Sequence, residues 1–472
     1  MSMVKLALAT QLAFLIAAGG CSESVPDCSK QRDGIKSITA TPGNGAIEVT
    51  WVTDAAPPFT GFHVEAVVAP GQPTPSAEYG LTADKRRFSL TGLTNGTLYN
   101  VAVFGYCYQT PVGQQFAQAT PTAPPPPRVY VAAKPMSGTG SGTILQYAIG
   151  ADGTLSPLST ASVAAGADTW DVVLGPKTAS GRFAYAINSD GSQLTPAPTV
   201  SQYSVTSNGE LMPLSPGTVA TGISPGRAAI VAVGSPSPSH YLYVPNDLDR
   251  TVSRYAIAPT TGQLTAKVVA AAGTAHSVCA IGSNLYVANS GPTEGISQYT
   301  INSDGTLAAL TPATVGNSGQ LGIGCHPSGT SVYASGIVGN VGVVLQYSVG
   351  AGGVLTPMTP ATVATSSTAP SVVAVDPQGK YVFVTDPIDN TVSQFTIGAS
   401  GALTAMSAAT VTPGGSPSGA AFDPSGKYFY VTNSGDGAIA QFAVGATGLT
   451  PLAPAKVMTA ALSPQSIATA AP

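Results

Sequence analysis

Residues 422–452 read FDPSGKYFYVTNSGDGAIAQFAVGATGLTPL, and residues 375–406 just upstream read VDPQGKYVFVTDPIDNTVSQFTIGASGALTAM. Both strings hold an Asp-Pro-x-Gly turn, an aromatic alternating run, a second run with Gln-Phe, and a Gly turn. In the turn, Pro424 presets φ for the first position and Gly426 can take the left-handed conformation, with Asp423 capping through its carboxylate. Alternation over short runs is the pattern of half-buried strands. These aspartates therefore read as turn caps, not as catalytic carboxylates.

The unit recurs. Its Gln-aromatic type of strand appears seven times, the aromatic falling at Tyr147, Tyr203, Tyr255, Tyr299, Tyr347, Phe395 and Phe442, with spacings of 44 to 56 residues. Before each lies an aromatic run such as YLYVPN or YFYVTN, after each a Gly turn such as ADGTL, and then a fourth run such as PSVVAVDP. Four short strands repeated seven times, without helical periodicity, predict an all-β chain with a seven-bladed β-propeller over residues 128–472. The first repeat starts at its second strand, RVYVAAK, while the chain ends SPQSIATAAP, which matches the innermost-strand string. Pro464 to Ala470 is therefore expected to pair with Val129 to Ala132 and close the ring. The region resembles the bacterial seven-bladed propellers of the lactonase family and the YVTN-repeat proteins of microbial surfaces, the tetrapeptide being literal at Tyr430 to Asn433. The resemblance implies a lactone hydrolase or cyclase (phosphogluconolactonase-like, for one), or a propeller without catalysis.

Upstream, AIEVTWV, GFHVEAVV, RRFSLTGL and LYNVAVFGY alternate between Gly, Pro and Asn turns, which predicts a β-sandwich over residues 36–121. At LTGLTNGTLYNVAV it resembles a fibronectin type III domain, with Trp51 as the core Trp, Leu93 as the core Leu and Tyr99 at the tyrosine corner; Asn95 stands where that family usually has Pro. The resemblance implies a spacer or adhesion module. Residues 122–127, TAPPPP, read as a stiff linker.

Residues 1–20 carry Lys5 and then an apolar run too short to cross a bilayer, as a signal peptide does. The following AAGGC resembles a lipoprotein cleavage site, which implies lipidation at Cys21 and a tether over residues 21–35; ordinary cleavage, with Cys21 left for a disulfide, is the alternative. Export permits disulfides, and Cys28 with Cys107 is the expected pair, since both fall at one end of the sandwich. Cys279 and Cys325 are free and buried, or bonded.

Only 8% of residues are charged and the net charge is −4, which excludes nucleic acid as a partner. No Cys/His spacing suggests a metal and no motif calls for a cofactor. Against that background one sector stands out. Arg227, Asp247, Asp249, Arg250 and His276 should share the channel mouth at which innermost strands begin and second strands end. Gln320, Ser371, Ser418 and Gln465 complete the first set, and Asn188, Asn246, Asn289, Asp386 and Asn433 form the second, although Asn at a strand exit commonly closes an Asx turn. His276 as base and Arg227 as oxyanion partner could open a lactone, with Asn246, Asp247, Asp249, Arg250 and Asn289 forming a ligand-binding face. The bland alternative is surface ion pairs on one loop. With only five Arg and two Glu in the propeller, the leading expectation is a lipid-anchored protein of the bacterial cell envelope. Its propeller would bind a protein or glycan, and its sandwich would act as spacer. The alternative is lactone hydrolysis or cyclisation at the channel mouth.

Overall fold

The computed structural model describes residues 34–53, 59–68, 72–107, 110–137, 140–178, 181–189, 197–235, 238–316, 318–319 and 321–471. Residues 1–33, with the expected signal segment, Cys21 and Cys28, lie outside them, as does Gln320. The chain divides into two compact units at Pro124/Pro125.

In the first unit, β1 (Ile35–Gly43), β2 (Ala46–Thr53), β3 (Gly61–Val68), β4 (Gln72–Thr82), β5 (Arg87–Thr91), β6 (Tyr99–Cys107) and β7 (Thr110–Ala119) form two antiparallel sheets. Their strand orders are β1-β2-β5 and β4-β3-β6-β7. Alternate residues Ile47, Val49 and Trp51 of β2 meet Phe62 and Val64 of β3 and Val101 and Val103 of β6 in one core, with the Trp51 and Phe62 rings 5.3 Å apart. The Tyr99 hydroxyl reaches back to accept a bond from the Thr94 amide at 2.9 Å. Asn95 ties the neighbouring turn, its Oδ1 accepting from Gly45 N and its Nδ2 donating to Asn44. Cys107 is disulfide-bonded.

The second unit is seven four-stranded antiparallel sheets, the strands of six following one another in chain order. The remaining one, blade 1, joins the C-terminal strand Leu462–Ala470 to Arg128–Pro135, with pairing from Leu462↔Pro135 to Ala470↔Arg128. The expected closure is present. Ile467 of this strand enters the core shared by blades 7 and 1.

The repeated letters act between blades. In six blades the buried Gln of the third strand donates from Nε2 to a carbonyl of its own outer strand, such as Thr160 O or Pro216 O. Its Oε1 accepts the amide of a Leu in the next blade: Gln146 takes Leu211, Gln298 takes Leu355, and Gln441 takes Leu155 across the seam between blades 7 and 1. Blade 3 has Arg254 there, which donates to Asp304 O at 2.7 Å and lies 5.1 Å from the Tyr241 ring. A second latch uses the second strand, where six tyrosine hydroxyls donate to a turn glycine of the next blade. Tyr130 reaches Gly209, Tyr286 reaches Gly353 and Tyr430 reaches Gly153. Those turns need glycine twice over. Gly305, for example, has φ +80, and a Cβ there would stand 2.7 Å from the Tyr241 ring.

Asp423 does cap its turn, accepting from the amides of Ser425 and Tyr428 and from the Ser425 hydroxyl. Cys279 and Cys325, on the innermost strands of blades 4 and 5, form a disulfide, which settles the open alternative for that pair.

Candidate functional site at the upper channel mouth

The innermost strands all begin at one end of the channel, here the upper mouth. Trp170 and Asp171 start blade 2 within the strand Thr169–Leu174, and Arg227 precedes the strand Ala229–Val233 of blade 3. His276 starts blade 4 within the strand Ala275–Ile281. Arg227 N donates to His276 O at 2.9 Å and Val278 N donates to Arg227 O at 3.2 Å, so the two candidate residues sit on laterally paired segments. Gly226 permits this contact, since a Cβ there would stand 1.9 Å from the His276 carbonyl.

The Arg227 side chain turns into the channel. Its Nη2 donates to Ser418 O of blade 7, its Nη1 lies 3.9 Å from Asp171 Oδ1, and its guanidinium stands 6.0 Å from the Trp170 ring. Lys134 approaches Trp170 at 5.8 Å and pairs with Asp168 at 2.8 Å. Asp171 is buried. Its Oδ1 accepts from Ser466 Oγ at 2.7 Å and its Oδ2 from Ala228 N at 2.9 Å. Burial pushes the Asp171 carboxyl up from its ordinary value, against the pull of Arg227, the Ser466 hydroxyl and the amides of Ala228 and Val172. Burial likewise lowers the Arg227 pKa, with Asp171 opposing. A buried ion pair of this kind holds its geometry because either charge alone would be costly.

His276 Nδ1 lies 2.8 Å from the Leu321 carbonyl. A carbonyl only accepts, so Nδ1 carries the proton and Nε2 keeps the lone pair of the neutral ring. Burial lowers the His276 pKa; the Leu321 carbonyl opposes, Arg227 lowers it further, and Asp247 opposes. The ring is thus neutral near pH 7 and offers a bare Nε2 beside a cation.

The other candidates divide. Asp247 faces His276 electrostatically and also accepts from the Ser290 hydroxyl. Asp249 accepts the Ile223 amide and braces that loop. Arg250 pairs with Glu294. Asn246 and Asn289 are not part of a ligand face: both are 0% exposed. Asn246 bridges Gly222 N to Thr251 and Ser253, and Asn289 bonds Gly295 O and Ser297. Each closes the loop at its strand exit, as short polar side chains do. Ser371 contributes a backbone carbonyl that accepts from Ser335, and Gln465 turns back onto Ser463.

Asp171, Trp170, Lys134 and Ser466 belong to the cluster without having been read from the sequence. One signal was available: TWDVVL is an innermost-strand string with a lone carboxylate among apolar residues. No group of three or more His, Cys, Asp or Glu suited to a metal occurs among the described residues.

A family model described as "Lactonase, 7-bladed beta-propeller" matches residues 249–470. No curated protein sequence matches the chain. Among solved structures, a putative 6-phosphogluconolactonase of Bacteroides fragilis is 19% identical with a TM-score of 0.58, covering 74% of this chain and 98% of its own. A periplasmic gluconolactonase of Pseudomonas aeruginosa is 17% identical at TM-score 0.58, covering 73% and 99%. A putative 6-phosphogluconolactonase of Bacteroides uniformis is 18% identical at TM-score 0.57, again covering 73% and 99%. At these identities the likeness concerns the fold alone: the second unit is a seven-bladed β-propeller, and residues 249–470 of it are similar to the lactonase family model.

Proposed function

We propose that the propeller hydrolyses a lactone at the upper mouth, which ranks the enzymatic alternative above the binding reading expected from composition. The observation that carries it is the His276–Arg227 pair: a neutral imidazole with its tautomer set by Leu321 O, beside a guanidinium fixed by Ser418 O and Asp171. In this reading His276 Nε2 takes a proton from water as the water oxygen bonds to the lactone carbonyl carbon. Arg227 stabilises the oxyanion that forms. Collapse breaks the ring C–O bond, and the imidazolium returns its proton to the departing alkoxide, giving a hydroxy acid. The lactonase family match and the gluconolactonase-type neighbours support this reading at the level of fold.

A panel of sugar and aliphatic lactones, followed by acid release above the spontaneous rate, tests it. The wild type should accelerate at least one lactone, and His276→Gln should lower that kcat by 10²–10⁴-fold, the usual contribution of a positioned base, while melting as a folded protein. No acceleration of any lactone, or full activity in a folded His276→Gln, would overturn it.

A second reading rests on the same rim. Loop tips after the second strands carry Leu248 at 63% and Ile388 at 68% exposure, a surface suited to a protein partner. The strand order of the sandwich, its buried Trp51 and Leu93, and the Tyr99–Thr94 bond support a fibronectin type III-like spacer. The sequence of residues 1–21 supports export and a lipid anchor on Cys21 in a bacterial envelope.

A further inference from the structure

The strand Ala275–Ile281 does not run evenly against its neighbour Asn284–Asn289. Ala275 faces Asn289 and Ser277 faces Ala288, so His276 is the extra residue of a β-bulge. A bulge bends its strand and re-aims the side chains at the irregularity. The same slip seats Trp170 in blade 2, Ser418 in blade 7 and Gln465 in blade 1 at the mouth. In an even strand His276 and Ser277 would point to opposite faces. Here both reach one acceptor: His276 Nδ1 lies 2.8 Å from Leu321 O, and the Ser277 hydroxyl donates to the same oxygen at 2.9 Å. A carbonyl oxygen has two lone pairs and can take both.

Leu321 itself lies ahead of the blade 5 sheet, whose innermost strand starts at Ile323. The next residue, Gly322, is tied to that sheet: its N donates to Ser335 Oγ at 2.9 Å and its O accepts from Ser335 N at 3.0 Å. The Leu321 carbonyl faces blade 4 instead, and Ser277 is the firmer of its two donors. Ser277 is 3% exposed, and the backbone on either side of it is bonded to Arg227, through His276 O and Val278 N. We propose that Ser277 is a positioning residue for His276: its hydroxyl holds the Leu321 carbonyl where Nδ1–H must point, which leaves Nε2 without a proton. Loss of the hydroxyl frees that carbonyl to turn, and a ring without a partner at Nδ1 favours the Nε2–H form. The proton then occupies the nitrogen that a base needs open. This role deepens the lactone reading and rests on it for its catalytic meaning alone, since the tautomer can be read without any substrate.

Nitrogen-15 NMR of the imidazole nitrogens in the full chain tests the proposal, with the His276 signals among the four histidines assigned by their loss in His276→Gln. At neutral pH the wild type should show His276 in the Nδ1–H form. Ser277→Ala should convert it largely to Nε2–H, and Ser277→Thr, which keeps the hydroxyl, should return it to Nδ1–H. Ser277→Val, which matches threonine in shape without the hydroxyl, serves if Ser277→Ala does not fold. On any lactone that the wild type turns over, Ser277→Ala should lower kcat about tenfold or more with KM little changed, a part of what a positioned base contributes. Ser277→Thr should recover that loss. The Nε2–H form in the wild type, or an unaltered Nδ1–H form in a folded Ser277→Ala, would overturn the proposal. A tautomer that shifts in Ser277→Ala while no form of the protein turns over a lactone would support the positioning role and sink the lactone reading, so the two fail separately.

Discussion

Position 383 is phenylalanine where the six other blades place tyrosine, and its neighbour explains the exception. Each tyrosine donates to a turn glycine of the next blade. The turn facing Phe383, GATGL at 445–449, is one residue shorter than GASGAL at 398–403. Phe383 packs instead on Phe422 and Phe429, with ring centroids 5.0 Å away in both cases. Tyr286→Phe should therefore cost about 1–3 kcal/mol by leaving Gly353 O unpaired, and Phe383→Tyr about as much by burying a hydroxyl. Two melting curves check this, and an unchanged midpoint for Phe383→Tyr would show that an acceptor is present after all. His276 gives a pH dependence. Its folded pKa is depressed, so below the ordinary histidine value the unfolded chain binds the proton that the folded chain refuses. Its contribution to stability is present above about pH 6.5 and is lost on acidification. Denaturant midpoints measured from pH 7.5 down to 5 should fall more steeply in the wild type than in His276→Gln.

At the scale of elements, the repeat was legible because each strand and turn carries its own punctuation, and the Asp-Pro-x-Gly turns and Gln-aromatic strands lie where their spacing put them. The site was only half legible. Arg227 and His276 could be assigned to one mouth from register alone, whereas Asp171 pairs with Ser466, 295 residues away, a distance that no local pattern spans. Asn246 and Asn289 mislead because the residue type that closes a strand exit is also the type that binds ligands. The innermost strands of blades 5 and 6, Ile323–Cys325 and Val373–Val375, are only three residues long. The Cys279–Cys325 disulfide joins blade 5's short strand to its longer neighbour and closes a loop with a sequence separation of 46. Cys279→Ala/Cys325→Ala should lower propeller stability by about 2–4 kcal/mol, the usual worth of such a link. Equal denaturant midpoints for the double variant and the wild type would show that the short strand needs no staple.

At the scale of the molecule, closure decides stability. Removing Ser463 to Pro472 leaves the Arg128–Pro135 strand with an open edge, removes Ile467 from its core, at about 1.5–3 kcal/mol for the side chain, and takes Ser466 from Asp171. The truncated chain should show a lower propeller transition by calorimetry and should aggregate by size-exclusion chromatography, with the sandwich transition unmoved. A monomeric propeller melting with wild-type cooperativity would refute this account. The closing seam also carries the same Gln441–Leu155 and Tyr430–Gly153 latches found at other seams. Since Arg128 and Ala470 are paired on adjacent strands, the order of blades along the chain is in principle interchangeable with its rotations. A gene that fused the two ends and opened the chain at another outer turn would encode a circular permutant with the same set of contacts.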